Sequence, residues 1–144
     1  MRKDQEVPHY TVAAGLVWDR FSFARPHLLI TQRMYDDVHG GLWEFPGGKK
    51  QPGESLRDCL KRELQEELAI TVGVAELFDT LQHTYDNFSI SLHTFHCSIL
   101  RGEPRAISCE KLRWVSVADL SNYEFPEADR KLIARLQKES FIPK

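Results

Sequence analysis

The sequence predicts a single α/β domain over residues 1–144, and three observations carry that reading. Residues 10–18 (YTVAAGLVW) are apolar and rich in β-branched side chains, which is the composition of a buried strand. Leu56, Leu60, Leu64 and Leu68 recur every fourth residue in a stretch free of Gly and Pro, giving one apolar stripe along a helix. Ala128, Leu132, Ile133 and Leu136 form a second such stripe after Pro126, a residue well suited to a first helical turn.

The remaining elements follow in chain order. Residues 28–33 (LLITQR) read as a second strand, with 19–27 as the loop or hairpin between the first two. Residues 35–41 are polar and turn-like, and Glu44-Phe45 reads as a short strand stopped by Pro46. Pro46, Gly47, Gly48 and then Pro52-Gly53 predict irregular backbone, with a helix starting at Glu54 or Ser55. Residues 77–85 and 88–100 read as a hairpin turning at Asp86-Asn87, residues 101–104 (RGEP) as a turn and 111–115 as a strand. Ser116 to Asp119 has the spacing of a capping box opening a short helical turn.

Composition narrows the function. With 144 residues, 42% of them hydrophobic, the chain can build a real core. A formal net charge of −2 counts against nucleic-acid polymers, which need a basic field, but not against a nucleotide. The N-terminus (MRKDQEVPHY) has no apolar run for a signal peptide and no segment is long enough to cross a bilayer, so a cytoplasmic protein is expected. Cys59, Cys97 and Cys109 are odd in number and far apart, which reads as reduced packing residues. His93 and His96 fall on opposite strand faces, and surface or structural roles are expected for them and for His9, His27, His39 and His83.

The chemistry concentrates on the first helix. At about 100° per residue, Glu63, Glu66 and Glu67 share one sector beside the leucine stripe, so three carboxylates are predicted to crowd the border of the core. Like charges at i,i+3 and i,i+4 repel, and burial strengthens the repulsion. A hard divalent cation such as Mg²⁺ or Mn²⁺ would relieve it, since such ions take oxygen ligands and substrate phosphate. Helical spacing alone also admits an ordinary acidic face paired with Arg57, Lys61 or Arg62.

Residues 48–70 (GKKQPGESLRDCLKRELQEELAI) resemble the Nudix box, G-x5-E-x7-R-E-U-x-E-E-x-G-U, at Gly48, Glu54, Arg62, Glu63, Leu64, Glu66, Glu67 and Ile70. Ala69 replaces the last Gly, which reads as altered cap geometry at no loss of chemistry. The preceding LWEFPGGK is similar to the MutT-like nucleoside triphosphate pyrophosphohydrolases of the Nudix family. The resemblance implies a mixed sheet between helices and Mg²⁺-dependent hydrolysis of nucleoside triphosphates, in a house-cleaning role against modified nucleotides. It implies metal ligands Gly47, Glu63, Glu66 and Glu67, with Arg62 orienting the glutamates and Glu54, Glu66 or Glu67 as general base.

By the same resemblance Arg33, Glu44, Phe45, Gly48, Lys49 and Asp129 surround the substrate. Arg33 also reads as a solvated strand-end arginine, Lys49 as an exposed loop lysine, and Asp129 as a carboxylate stabilising a helix start. Asp129 stands where the MutT enzyme acting on 8-oxo-dGTP has an Asn, and an ionised Asp accepts hydrogen bonds without donating them, so base choice should differ. Ser108 stands where some relatives carry a further metal-binding Glu, and Glu110 either replaces it or lies on the surface. The box is also compatible with a hydrolase of another nucleoside diphosphate derivative or a silent nucleotide-binding module. A purely structural protein would have no use for the clustered carboxylates.

Overall fold

The computed structural model describes residues 7–140. A seven-stranded mixed sheet lies between two helices. Its centre is β1 (His9–Asp19), which runs parallel to β6 (Ser89–Arg101) in register from His9 opposite Ser89 to Trp18 opposite Ser98. Helices cover both faces of β1, and alternate residues of its apolar run serve different cores. Ala13 and Val17 pack with Leu60, Leu64 and Leu68 of α1 (Leu56–Leu68). Ala14 and Leu16 pack with Ala128, Leu132 and Leu136 of α2 (Glu127–Ser140).

The other edge of β1 changes partner partway along. Val12 to Ala14 pair antiparallel with β4 (Gly47–Lys49), whereas Trp18 and Asp19 pair with β2 (His27–Gln32). β2 then carries β3 (Trp43–Glu44) on one side and β7 (Lys111–Ser116) on the other. The sheet therefore splits where β1 passes from β4 to β2.

β4 corrects the expectation of irregular backbone around Gly47 and Gly48. Pairing with β1 supplies its hydrogen bonds, and the glycines are needed for closeness: a Cβ on Gly47 would collide with the Ala13 carbonyl. Phe45 belongs to no strand; it is buried and stacks on Phe125 at 5.6 Å.

The first strand of the predicted hairpin also runs longer, β5 being Thr71–Thr84. Register shifts between Val74 and Leu77 and between Leu77 and Asp79 break its alternation, which hides the early half from a period-two pattern. Around the same irregularity Arg57 donates to the carbonyls of Val74 (3.0 Å) and Ala75 (2.6 Å).

Helix α1 starts where its cap dictates, with the Ser55 hydroxyl accepting from the Asp58 N–H at 3.0 Å. Its end overturns the expectation of altered cap geometry. Ala69 adopts the left-handed conformation, φ 60° and ψ 36°, that glycine would take there. Arg105 N–H onto Leu68 O (2.9 Å) and Ile107 N–H onto Glu67 O (3.2 Å) satisfy the last carbonyls. Before α2, the Ser116 hydroxyl accepts from Asp119 N–H at 3.3 Å and opens a 3₁₀ turn over Ala118–Asn122.

Cys59 and Cys97 are buried free thiols, pushed up to about 11 and about 12 by burial, and so act as inert packing groups. Among the described residues no helix is long and apolar enough to cross a membrane. The N-terminal reading falls mostly on residues 1–6, outside the described residues.

Because Ala69 holds a conformation that costs a non-glycine residue about 1 kcal/mol, Ala69→Gly should stabilise the fold by about that amount. The thermal midpoint should rise by about 2–5 °C with any hydrolytic rate unchanged. A lower midpoint would mean that the strain is relieved in some other way.

Candidate active site

The split in the sheet opens into a cavity of about 590 Å³. β1 contributes Tyr10, Val12 and Ala14, β4 contributes Gly47, Gly48 and Lys49, and α1 contributes Glu63, Glu67 and Leu68. The segment after β2 adds Arg33 and His39, the hairpin turn adds Tyr85 and Phe88, and α2 brings Asp129. Of the residues singled out in the sequence, Arg33, Glu44, Phe45, Gly47, Gly48, Lys49, Glu63, Glu67 and Asp129 meet at this one wall. Glu54, Arg62 and Glu66 stand just outside it.

Arg62 organises the acidic end. Its Nε and Nη2 donate to the two oxygens of Glu54 at 2.7 and 2.9 Å, a bidentate pair, and Nη1 donates to Glu63 at 3.1 Å and Glu66 at 3.2 Å. Nη2 also reaches the Lys49 carbonyl at 3.3 Å, tying the helix to the end of β4. The hydrogen bonds from Arg62 and from the Gln51 N–H hold the Glu54 carboxyl down at about 2. Glu66 is 60% exposed and faces solvent, which corrects the picture of three carboxylates at the core border: two stand there, Glu63 and Glu67.

Glu67 has no arginine of its own. Burial raises its carboxyl well above the usual range, reinforced by a shared hydrogen bond with Glu63 and by the charges of Glu63 and Glu44. Two close carboxyl groups, of which Glu67 is raised by burial and by its neighbour, are a hard-oxygen donor pair short of positive charge. Gly48 keeps room for them, since a Cβ there would strike the Glu63 carboxyl. The donor set thus fits a hard divalent cation seated between Glu63 and Glu67 against β4. Among the described residues no three His, Cys, Asp or Glu side chains stand in position to hold such an ion. Arg62 now engages Glu66, so that side chain would have to turn inward to join the pair.

The opposite end is organised by Arg33, which is fully engaged within the protein. It donates to Val38 O at 2.6 Å, Glu44 at 2.8 Å and Asp37 at 2.8 Å, so it builds the 34–41 segment as well as facing the cavity. Burial pushes the Glu44 carboxyl up despite this ion pair. Burial likewise pushes Asp129 up to about 8, with the nearby charge of Glu44 adding to it. Asp129 is therefore protonated at neutral pH and can donate as well as accept, contrary to the acceptor-only behaviour expected from its sequence position. Glu110 does not supply the carboxylate missing at Ser108, because its Oε2 accepts the Tyr35 N–H at 3.1 Å, away from the cavity.

Several wall residues were not singled out in the sequence. Lys49 Nζ sits 3.9 Å from the Tyr10 ring centroid, a cation–π contact that holds the ammonium at the wall. His39, expected at the surface or in a structural role, lines the cavity together with Tyr85 and Phe88. The only sequence signals were a histidine before two glycines and aromatics flanking the Asp86-Asn87 turn.

The NUDIX domain family matches residues 21–135 of the chain. The chain belongs to the NUDIX family. It is 36% identical over 129 residues to the 8-oxo-dGTP diphosphatase of Haemophilus influenzae, covering 90% of this chain and 92% of the relative. It is 37% identical over 106 residues to the CTP pyrophosphohydrolase of Escherichia coli, covering 74% and 78%. Among solved structures, that of the E. coli ORF135 protein superposes with a TM-score of 0.76 at 31% identity, covering 94% of this chain and 93% of that one. The MutT protein of Methanosarcina mazei shares the NUDIX fold at a TM-score of 0.82 and 21% identity, covering 95% and 99%. The NUDIX box maps onto β4, the connecting loop and α1, so that its Gly48 and Glu63 are in contact range while its Glu54 and Arg62 form the brace behind them.

Asp129 gives this NUDIX protein a pH signature. With its folded value near 8 against 3.8 for the free carboxyl, the folded state binds the extra proton, so the stabilisation is complete below about pH 4 and is lost as pH rises through 8. Between pH 5 and 9 wild type should lose on the order of 4 kcal/mol more stability than Asp129→Asn, read from urea midpoints. Parallel curves for the two proteins would show that Asp129 is ionised in the fold.

Proposed function

We propose that the chain hydrolyses nucleoside triphosphates to the monophosphate and pyrophosphate, with Mg²⁺ as the cation and Mn²⁺ as a substitute. We also propose that it serves to clear modified or oxidised nucleotides. The observation that carries the reading is the half-buried Glu63–Glu67 pair, short of positive charge and facing the same cavity as Lys49. Relatives named 8-oxo-dGTP diphosphatase and CTP pyrophosphohydrolase support the substrate class.

In this reading Glu63, Glu67 and the Gly47 backbone hold the cation, joined by Glu66 when it turns from Arg62. When bound, the ion neutralises phosphate charge and acidifies a water molecule. Lys49 meets the phosphates as a second positive group. Arg62 fixes Glu63 in orientation and keeps Glu54 ionised as its brace. Glu54, committed to both fork nitrogens and held at about 2, is a poor proton acceptor. Of Glu54, Glu66 and Glu67, we take Glu67, which faces the cavity, as the carboxylate that would accept the proton from the attacking water once a bound cation keeps it ionised.

The direct test is a Mg²⁺-dependent hydrolysis screen over normal, methylated and oxidised nucleoside triphosphates, with pyrophosphate and phosphate detected separately. Pyrophosphate release is expected, and release of phosphate alone, or turnover of nucleotide sugars only, would sink the proposal. Glu67→Gln should reduce turnover roughly 10²- to 10⁴-fold with an unchanged circular dichroism spectrum. Millimolar Mg²⁺ should raise the thermal midpoint of wild type and leave that of Glu67→Gln unmoved. Near-normal turnover in the variant would remove Glu67 from the chemistry.

A further inference from the structure

Lys49 shares the cavity with Glu63 and Glu67, an acid pair short of positive charge. Among the described residues no ion pair joins its ammonium to a carboxylate, although Arg62 alone serves three. Separation does not account for this. Arg62 reaches the Glu63 carboxyl at 3.1 Å with one nitrogen of its fork and the Lys49 carbonyl at 3.3 Å with another, so the acid stands one guanidinium away from the Lys49 backbone, in range of a flexible four-carbon stem. A loose ammonium there would be drawn onto the acid pair, and a tethered cation would then fill the place of a divalent one.

Tyr10 holds the ammonium elsewhere, with Lys49 Nζ 3.9 Å from its ring centroid. The strand register explains the contact. Val12 stands opposite Lys49 across the ladder of β1 and β4, and Tyr10, two residues earlier, shares its face, so ring and ammonium are diagonal neighbours. The main chain around Lys49 is pinned on both sides of the peptide, by Arg62 at its carbonyl and by the Lys50 N–H, which donates to Thr11 O at 2.8 Å. Behind the ring stands Phe88 at 6.0 Å. The described residues give the Tyr10 hydroxyl no hydrogen bond, whereas the ring meets both Lys49 and Phe88, so the ring is the working part.

We propose that Tyr10 is a positioning residue acting through Lys49: its ring keeps the ammonium off the Glu63–Glu67 pair, leaving that place to a divalent cation and the lysine to a phosphate chain. The assignment rests on the reading of the cavity as a polyphosphate site. An aromatic face suits the task because it attracts the ammonium without cancelling its charge, which a carboxylate at position 10 would do.

Two readouts that need no turnover test it: calorimetric binding of inorganic tripolyphosphate in millimolar Mg²⁺, and the rise of the thermal midpoint on adding Mg²⁺ alone. They are compared in wild type, Tyr10→Leu, Tyr10→Phe, Lys49→Met and the double variant Tyr10→Leu/Lys49→Met. Tyr10→Leu should weaken tripolyphosphate binding about two- to fivefold and shrink the Mg²⁺-dependent rise, and Tyr10→Phe should match wild type in both. The double variant should regain the rise and bind tripolyphosphate as Lys49→Met does, because the ring works only through the lysine. Wild-type behaviour of Tyr10→Leu in either readout, no rescue by Tyr10→Phe, or additive losses in the double variant overturn the assignment. Should the pattern hold while nucleoside triphosphates release no pyrophosphate, the assignment stands and the hydrolytic proposal falls.

Discussion

Arg62 is the counter-charge on which the acidic end depends. A single guanidinium serves Glu54, Glu63 and Glu66 and still reaches the Lys49 carbonyl, so helix, loop and β4 are joined at one side chain. A lysine could neutralise the charge but could not span these partners, because only the planar fork presents donors in several fixed directions. What the fork leaves over is Glu67, the one box carboxyl at the cavity without an arginine, and there the electrostatics call for a cation from outside.

Arg33 plays the corresponding part at the other end, bound to Glu44 and Asp37. The two ends differ in balance. Around Arg62 the carboxyls are partly exposed and bound to its guanidinium, whereas Glu44 and Asp129 are raised by burial. The cavity thus passes from a region that attracts positive charge to one of Arg33, raised carboxyls and rings. That gradient suits an elongated ligand with an anionic, metal-loving end and an aromatic one.

Much of this was legible in the residues. The helix from Ser55 to Leu68, its four leucines and the last helix with Leu132 and Leu136 follow from spacing, because burial of a helical stripe leaves a regular mark. The box residues could be named because their separations are fixed by one helix and one turn. Other features depend on partners far away in the chain. β4 was invisible because its two glycines signal a turn, and only contact with Ala13 and Ala14 makes them a strand. The early half of β5 was hidden by its bulges. Glu66 turns outward because Arg62 competes for it, and Asp129 is neutral because Glu44 and burial act on it; neither partner is adjacent in sequence. His39 reaches the wall through the path of the glycines after it.

The contact between Gly48 and Glu63 also ties two letters of the box into one unit. The space that a methyl group would take at position 48 is already filled by a carboxyl at the far end of a flexible side chain. Alanine at 48 would make that carboxyl swing aside, away from the Arg62 fork, while the backbone stayed where it is. The glycine thus sets where the acid points and leaves the fold untouched.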